Sequence, residues 1–328
     1  MPARPRKDIV DESEPGFYHC FSRCVRRAFL CGDDQYTGRN YDHRKDWIEE
    51  RMTFLASQMA LEVTGYAIMD NHLHVVLKTR PDIVAKWSAD EVARRWLTLC
   101  PGKRGKKSRE AADSDMQKKT RALIRDKKTL AECRKRLASL SWFMKLLKEN
   151  VAKRANEEDQ VTGCFWEGRF RSTRLLDSYA LLLCSMYVDL NPIRGGKAYT
   201  PETSVHTSVY LRIQARLAQH RSSGDAAAWL TPIDEDSPPP DGHQAAKGRR
   251  VSDVGFLPMS VDKYLALLDW SGKQLRSDKR GAIPADLSPI LDRLNLDVDH
   301  WLEGLKSFAE WFSDFAGRRE TLRHNASK

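Results

Sequence analysis

No uninterrupted apolar run in this chain approaches the ~20 residues that a helix needs to cross a bilayer. The longest lies around Ala180–Val188 and is itself broken by Ser185. The amino-terminal MPARPRKDIVDESEPG is charged and has no apolar centre, so it does not read as a secretory signal. Cysteine is sparse: Cys20, Cys24, Cys31, Cys100, Cys133, Cys164 and Cys184 are odd in number, scattered, and include no CxxC. That excludes a disulfide framework. Cys20-x3-Cys24 on an expected strand is poor zinc geometry, so structural thiols are the better reading. Internal repeats are missing as well. These absences point to a soluble, cytoplasmic protein with no membrane segment.

What is present suffices for a folded core. Hydrophobic residues make up 41% of the 328 and aromatics 9%, which excludes global disorder. At ~150 residues per domain the length suits two domains.

The positive charge is local. The net charge is +10, yet residues 103–154 alone hold 18 basic and 6 acidic side chains, more than the whole excess. The run starts PGKRGKKSRE and continues through Lys118, Lys119, Arg121, Arg125, Lys127, Lys128, Arg134, Lys135 and Arg136. Such a block fits a polyanion surface, where phosphate neutralisation supplies affinity. A solvated helix face fits the same run.

Periodicity gives a coarse order of elements. Phe17–Val25 reads as a strand and Tyr41–Ala60 as a helix, with Trp47, Ile48, Met52, Leu55 and Met59 on one stripe. Leu61–Met69 and Leu73–Thr79 read as a hairpin about the turn dipeptide Asp70-Asn71. Ser88 and Glu91 form a capping-box start for a short helix. A single long helix is expected over about 115–155, then a strand over Phe165–Leu176. Asp177-Ser178 caps a further helix that must end near Asn191, because Pro192 disfavours helix in the residue before it. A mixed helix follows at about Ser204–Gln219, and helices are also expected at Ser260–Arg276, Pro284–Leu294 and Asp297–Phe315. Strands and helices are mixed and one connection is a hairpin, which suggests an α+β sheet domain with helices on a face.

Two small constellations carry chemistry. His72-Leu73-His74 opens an expected strand, and side chains two apart share a face. Both imidazoles aim at one spot, as two ligands of one metal ion must; two unrelated histidines give the same pattern. Tyr187 and Asn191 lie four apart at a helix end, on nearly one face. A tyrosine hydroxyl can act as a nucleophile, and an amide oxygen suits a hard cation. A core aromatic is the plainer reading of Tyr187.

The string Tyr66-Ala67-Ile68-Met69-Asp70-Asn71-His72-Leu73-His74-Val75-Val76-Leu77 resembles the "Y-V-I-M-P-N-H-x-H" strand pair of single-tyrosine HUH transposases, the REP-associated tyrosine transposase-like group in particular. Three more stretches match in order: Tyr18-His19-Cys20-Phe21-Ser22-Arg23, then Phe165-Trp166-Glu167-Gly168-Arg169-Phe170-Arg171-Ser172, then Tyr187-Val188-Asp189-Leu190-Asn191-Pro192-Ile193-Arg194-Gly195-Gly196. The likeness spans about residues 17–197. It implies a ferredoxin-like antiparallel sheet with helices packed on it, of the HUH endonuclease type. It also implies His72, His74 and Asn191 as metal ligands, Mg2+ or Mn2+ as the metal, and Tyr187 as the nucleophile. Asp70 stands where that family usually has proline.

The resulting division is an HUH-type catalytic domain over 1–219 with a basic insertion at about 83–130, a linker over 220–256, and a small all-α accessory region over 257–328. The implied function is transposase-like, metal-dependent cleavage and rejoining of single-stranded, hairpin or palindromic DNA through a 5′-phosphotyrosine. Arg23, Lys103, Arg104, Lys106, Lys107, Trp166, Arg169 and Arg171 are the expected DNA contacts, with Trp166 or Phe170 offering a ring to a base. The resemblance places the protein at the nucleoid and leaves monomer and homodimer open. The alternative is a catalytically silent DNA-binding protein or repressor of the same fold. A third reading is a metal-dependent hydrolase that uses water, with Tyr187 structural.

Overall fold

Residues 5, 8–25, 31–34, 38–102, 109–218, 227–235, 249–275, 298–312 and 314–326 are described by a computed structural model. Five strands form one sheet: β1 (Gly16–Arg23), β2 (Leu61–Ile68), β3 (His72–Thr79), β4 (Arg171–Leu175) and β5 (Phe315–Ala316). Their order is β2-β3-β1-β4-β5. The first four are antiparallel to their neighbours, and β5 runs parallel to β4. Helix α1 (His43–Gln58) joins β1 to β2, and a tight turn joins β2 to β3, closed by the Met69 N–H donating to the His72 carbonyl at 2.9 Å. The hairpin and the mixed α+β architecture expected from sequence are both present.

Between β3 and β4 lie α2 (Pro81–Lys86), α3 (Ala89–Leu99), α4 (Arg109–Arg125), α5 (Lys127–Leu137) and α6 (Leu140–Glu158). The single helix expected over 115–155 is therefore three. The first break falls at Asp126, whose carboxylate accepts from the Thr129 N–H at 3.0 Å and so starts α5 as its N-cap. The second falls at Ala138–Ser139. The apolar stripe survives both breaks: Cys133, Leu137, Leu140, Phe143, Met144, Leu147 and Val151 are all buried. With Ile48, Met52 and Leu55 of α1 they pack against Tyr18, Cys20, Leu73, Val75 and Leu77 on one face of the sheet. Ser88 caps α3 as expected, accepting from the Glu91 N–H at 3.1 Å.

The opposite face carries α7 (Ser178–Asp189) and α8 (Asn191–Arg194); α9 (Ser208–Ala218), α10 (Val261–Leu275), α11 (Val298–Trp311) and α12 (Arg319–Ala326) follow among the described residues. Helix α7 is buried on every side, as a helix that is apolar all round must be. Its partners include Ala67 and Val76 of the sheet and Tyr264, Leu267, Trp301, Leu305 and Phe308 of α10 and α11. Both edges of the four-stranded antiparallel part of the sheet are covered. The Thr231 N–H donates to Val63 of β2 at 2.9 Å, and β5 pairs with β4. Covering an edge hides its unpaired backbone groups. Trp229 and Leu230, in the expected linker, are buried in the core with β2. The helix expected at Pro284–Leu294 lies outside the described residues. Among the described residues no helix is long and apolar enough to cross a membrane.

Candidate active site

Period-two geometry sets the first pair. His72 and His74 point to the α7 side of β3, with ring centroids 4.9 Å apart and planes near perpendicular. The β1–β3 register places Phe21 opposite His74 and Arg23 opposite His72. The Phe21 ring accordingly lies 5.5 Å from His72 and 5.0 Å from His74. His74 is 2% exposed, and His72 is half-buried.

The second pair depends on how α7 begins and ends. Asp177 caps it, accepting from the Ala180 N–H at 2.8 Å. Regular helix stops at Asp189, and Pro192 sits in the first turn of α8, where its missing N–H costs no helix bond. Asn191 is thereby turned toward the sheet. Its Nδ2 lies 3.3 Å from His74 Nε2, and its amide is near enough to His72 and Tyr187 to act on the protonation of both. The Tyr187 ring is 5.6 Å from that of His74. The structure thus gathers His72, His74, Tyr187 and Asn191, with the amide in the middle.

Burial governs the protonation of the group. It pushes His74 well below the ordinary imidazole range, and the nearby His19 and His72 add to the effect. Burial lowers His72 as well, against the Asn191 amide, which favours the charged ring. Neutral rings result, each with a free lone pair. Burial raises the Tyr187 hydroxyl, while Arg194 and the bonds to Arg194 and Asn191 pull it back down. The Arg194 guanidinium stands 4.8 Å over the Tyr187 ring and donates to the Lys306 carbonyl of α11 at 2.8 Å. Tyr187 is only 7% exposed, because Phe308 of α11 stacks on it with centroids 5.0 Å apart.

His19 was not singled out from sequence. It projects from β1, with Nε2 2.9 Å from His74 Nδ1. The two rings are near parallel, 8° apart, at 5.1 Å. Burial lowers its pKa from 6.5 to about 4. Its position inside the matching stretch Tyr18–Arg23 was the available signal. Its partner lies 55 residues away, so the pairing of β1 with β3 had to be known first.

The remaining expected contacts divide. Arg23, Arg169 and Arg171 are exposed. Trp166 and Phe170 are buried; the Trp166 N–H donates to the Lys148 carbonyl at 2.9 Å, so its edge is anchored in the fold and neither ring is offered to a base. Lys103, Arg104, Lys106 and Lys107 lie outside the described residues. Further along the basic run, Lys118, Arg121, Arg125, Lys127 and Lys128 are exposed on α4 and α5. Asp70 pairs with Lys45 at 3.0 Å and Lys197 at 2.5 Å, so two ammonium groups already satisfy its carboxylate. Among the described residues, no group of three or more His, Cys, Asp and Glu side chains is placed to hold a metal ion. The donor set at this site is two imidazoles and an amide.

No family model matches the chain, and no curated protein is similar to it in sequence. Among solved structures, a REP-associated tyrosine transposase bound to a REP hairpin aligns at 9% identity and a TM-score of 0.36. The alignment covers 64% of this chain and 86% of that one.

Proposed function

We propose that this chain is a metal-dependent, single-strand-specific DNA endonuclease and strand transferase with Tyr187 as nucleophile. One observation carries the reading: Asn191, one helical turn from Tyr187, lies 3.3 Å from His74 of β3, and the Tyr187 ring lies 5.6 Å from that of the same histidine. Two constellations separated by more than a hundred residues in sequence meet there. The sheet supports the same reading. Strands β1 to β4 in the order β2-β3-β1-β4, antiparallel throughout, with helices joining β1 to β2 and β3 to β4, form the split β-α-β arrangement of ferredoxin-like folds.

Neutral imidazoles and an amide oxygen suit Mn2+ and, less closely, Mg2+. His72, His74 and Asn191 are the residues that would hold it. A bound divalent ion would act as a Lewis acid on the scissile phosphate. The protein does the rest. The Tyr187 oxygen attacks phosphorus as the bond to the 3′-oxygen breaks, giving a 5′-phosphotyrosine and a free 3′-hydroxyl; the phenolic proton passes to water, and water returns one to the leaving 3′-oxygen. Arg194 stabilises the phenolate that forms. A second 3′-hydroxyl reverses the step and joins strands without ATP. Exposed Arg23, Arg169, Arg171 and the cations of α4 and α5 hold backbone phosphates.

Incubation with labelled single-stranded hairpin DNA and Mn2+, followed by denaturing electrophoresis, tests the reading. An SDS-resistant adduct that disappears in Tyr187→Phe is the expected result. Cleavage retained by that variant would falsify the nucleophile assignment and favour hydrolysis by water. The burial of Tyr187 beneath Phe308 favours a second reading, DNA binding without cleavage. Binding with no adduct, in wild type and in Phe308→Ala alike, would establish that one.

A further inference from the structure

We infer that His19 is a positioning residue: it accepts a hydrogen bond from His74 Nδ1 and so fixes the His74 tautomer that presents a bare Nε2 to the site. The inference rests on the proposed role of His72, His74 and Asn191 as a metal site, and it goes beyond that role by naming what orients one ligand.

The argument starts from the two sides of one ring. His74 Nδ1 lies 2.9 Å from His19 Nε2. His74 Nε2 lies 3.3 Å from Asn191 Nδ2. An amide nitrogen only donates, so His74 Nε2 is the acceptor on that side. A neutral imidazole carries one proton, and that proton must be on Nδ1. His74 Nδ1–H therefore donates, and His19 Nε2 accepts. The proton of His19 is then on its own Nδ1. The chain of hydrogen bonds runs in one direction, and its end is an unprotonated Nε2 beside Asn191 and His72.

The same geometry excludes His19 as a further ligand. The two nitrogens of an imidazole point to opposite sides of the ring. His19 occupies the Nδ1 side of His74, while Asn191 occupies the Nε2 side. A cation bound at His74 Nε2, with the Asn191 amide turned to present its oxygen, is thus screened from His19 by the His74 ring itself. The ring has little freedom to turn. It is 2% exposed and flanked by Phe21 at 5.0 Å and Tyr187 at 5.6 Å. His19 is in turn held at 7% exposure, edge-on to Phe308 at 5.8 Å. A metal-ligating histidine gains both orientation and basicity when its other N–H has a fixed acceptor.

Two measurements on the full chain test this. The first is Mn2+ binding by calorimetry for wild type, His72→Ala, His19→Phe and His19→Gln. The phenylalanine ring fills the space but accepts nothing, so Mn2+ affinity should fall about 10- to 100-fold. Glutamine places an amide oxygen within reach of His74 Nδ1 and should recover most of that loss. The second is the ring-nitrogen NMR spectrum of the metal-free wild type, where His74 should show a protonated Nδ1 and a bare Nε2. This spectrum needs no variant, so it decides the matter even if His19→Phe does not fold. A His74 protonated at Nε2, or full Mn2+ affinity in folded His19→Phe, overturns the inference and leaves the metal site standing. Absence of any Mn2+ binding that His72→Ala removes overturns the metal site itself.

Discussion

Tyr187 and Phe308 stack at 5.0 Å with 29° between their planes, so the proposed nucleophile of α7 is roofed by a side chain from α11, over a hundred residues later. An in-line attack needs a free approach to the tyrosine oxygen. On the proposed mechanism Phe308 narrows that approach, and Arg194 is tied to Lys306 of the same helix.

Phe308→Ala should uncover Tyr187. Adduct formation on a short hairpin should accelerate several-fold if displacement of the roof limits the rate. Phe308 is 1% exposed, so the same change should cost about 3–5 kcal/mol of stability. Single-turnover kinetics and urea unfolding would be read together. An unchanged rate in a folded variant would show that the roof is not limiting.

Arg194→Met removes the cation that lowers the Tyr187 hydroxyl pKa. Less phenolate is then available at neutral pH. The rate of adduct formation should fall near pH 7 and its rise with pH should move to higher pH. A pH–rate profile identical to wild type would remove Arg194 from the mechanism.

The buried histidines make stability depend on acid. His19 titrates at about 4 in the folded protein against 6.5 in its ordinary state, and His72 and His74 shift the same way. The groups that face them are Arg23 on β1, Tyr187 on α7, Arg194 on α8 and the uncharged Phe308 on α11. Between those two pH values the unfolded chain binds more protons, so stability rises with pH. The contribution of His19 is fully present above about pH 6.5 and is lost as pH falls to about 4, a change of roughly 3 kcal/mol. Urea unfolding midpoints across that window should decline with acid for wild type and less steeply for His19→Gln. Parallel slopes would show that His19 is not buried in the neutral form.

Asp189, two residues from Tyr187, is buried and accepts from Ser208 Oγ at 2.5 Å, the Val209 N–H at 3.1 Å and Tyr264 Oη at 2.6 Å. Tyr264→Phe deletes one donor and leaves the carboxylate under-satisfied beside α10. The expected loss is about 1–3 kcal/mol, read by urea unfolding. Wild-type stability in this variant would mean that α10 does not brace the end of α7.

Some of this site was legible in residue order alone. The spacing His72-x-His74 determines that both imidazoles leave one side of a strand. Asp177 and Pro192 determine where a helix begins and stops, and so place Tyr187 on its last turn and Asn191 just beyond it. Each of these depends on the backbone within a few residues. The same local rules located the Ser88 cap and the β2–β3 hairpin. They missed the breaks at Asp126 and Ser139, because the apolar stripe continues through both, and only the first is marked by a capping side chain.

The rest was decided by which surfaces meet. That β1 lies beside β3 makes His19 the partner of His74. That α11 crosses α7 puts Phe308 over Tyr187. That Asp70 finds Lys45 and Lys197 removes it as a donor. That the Phe165–Phe170 segment folds inward turns Trp166 away from solvent. Sequence spacing determines the direction of a side chain relative to its own backbone. What it faces depends on strand order and on burial shared among segments dozens of residues apart, and only the folded chain brings those together.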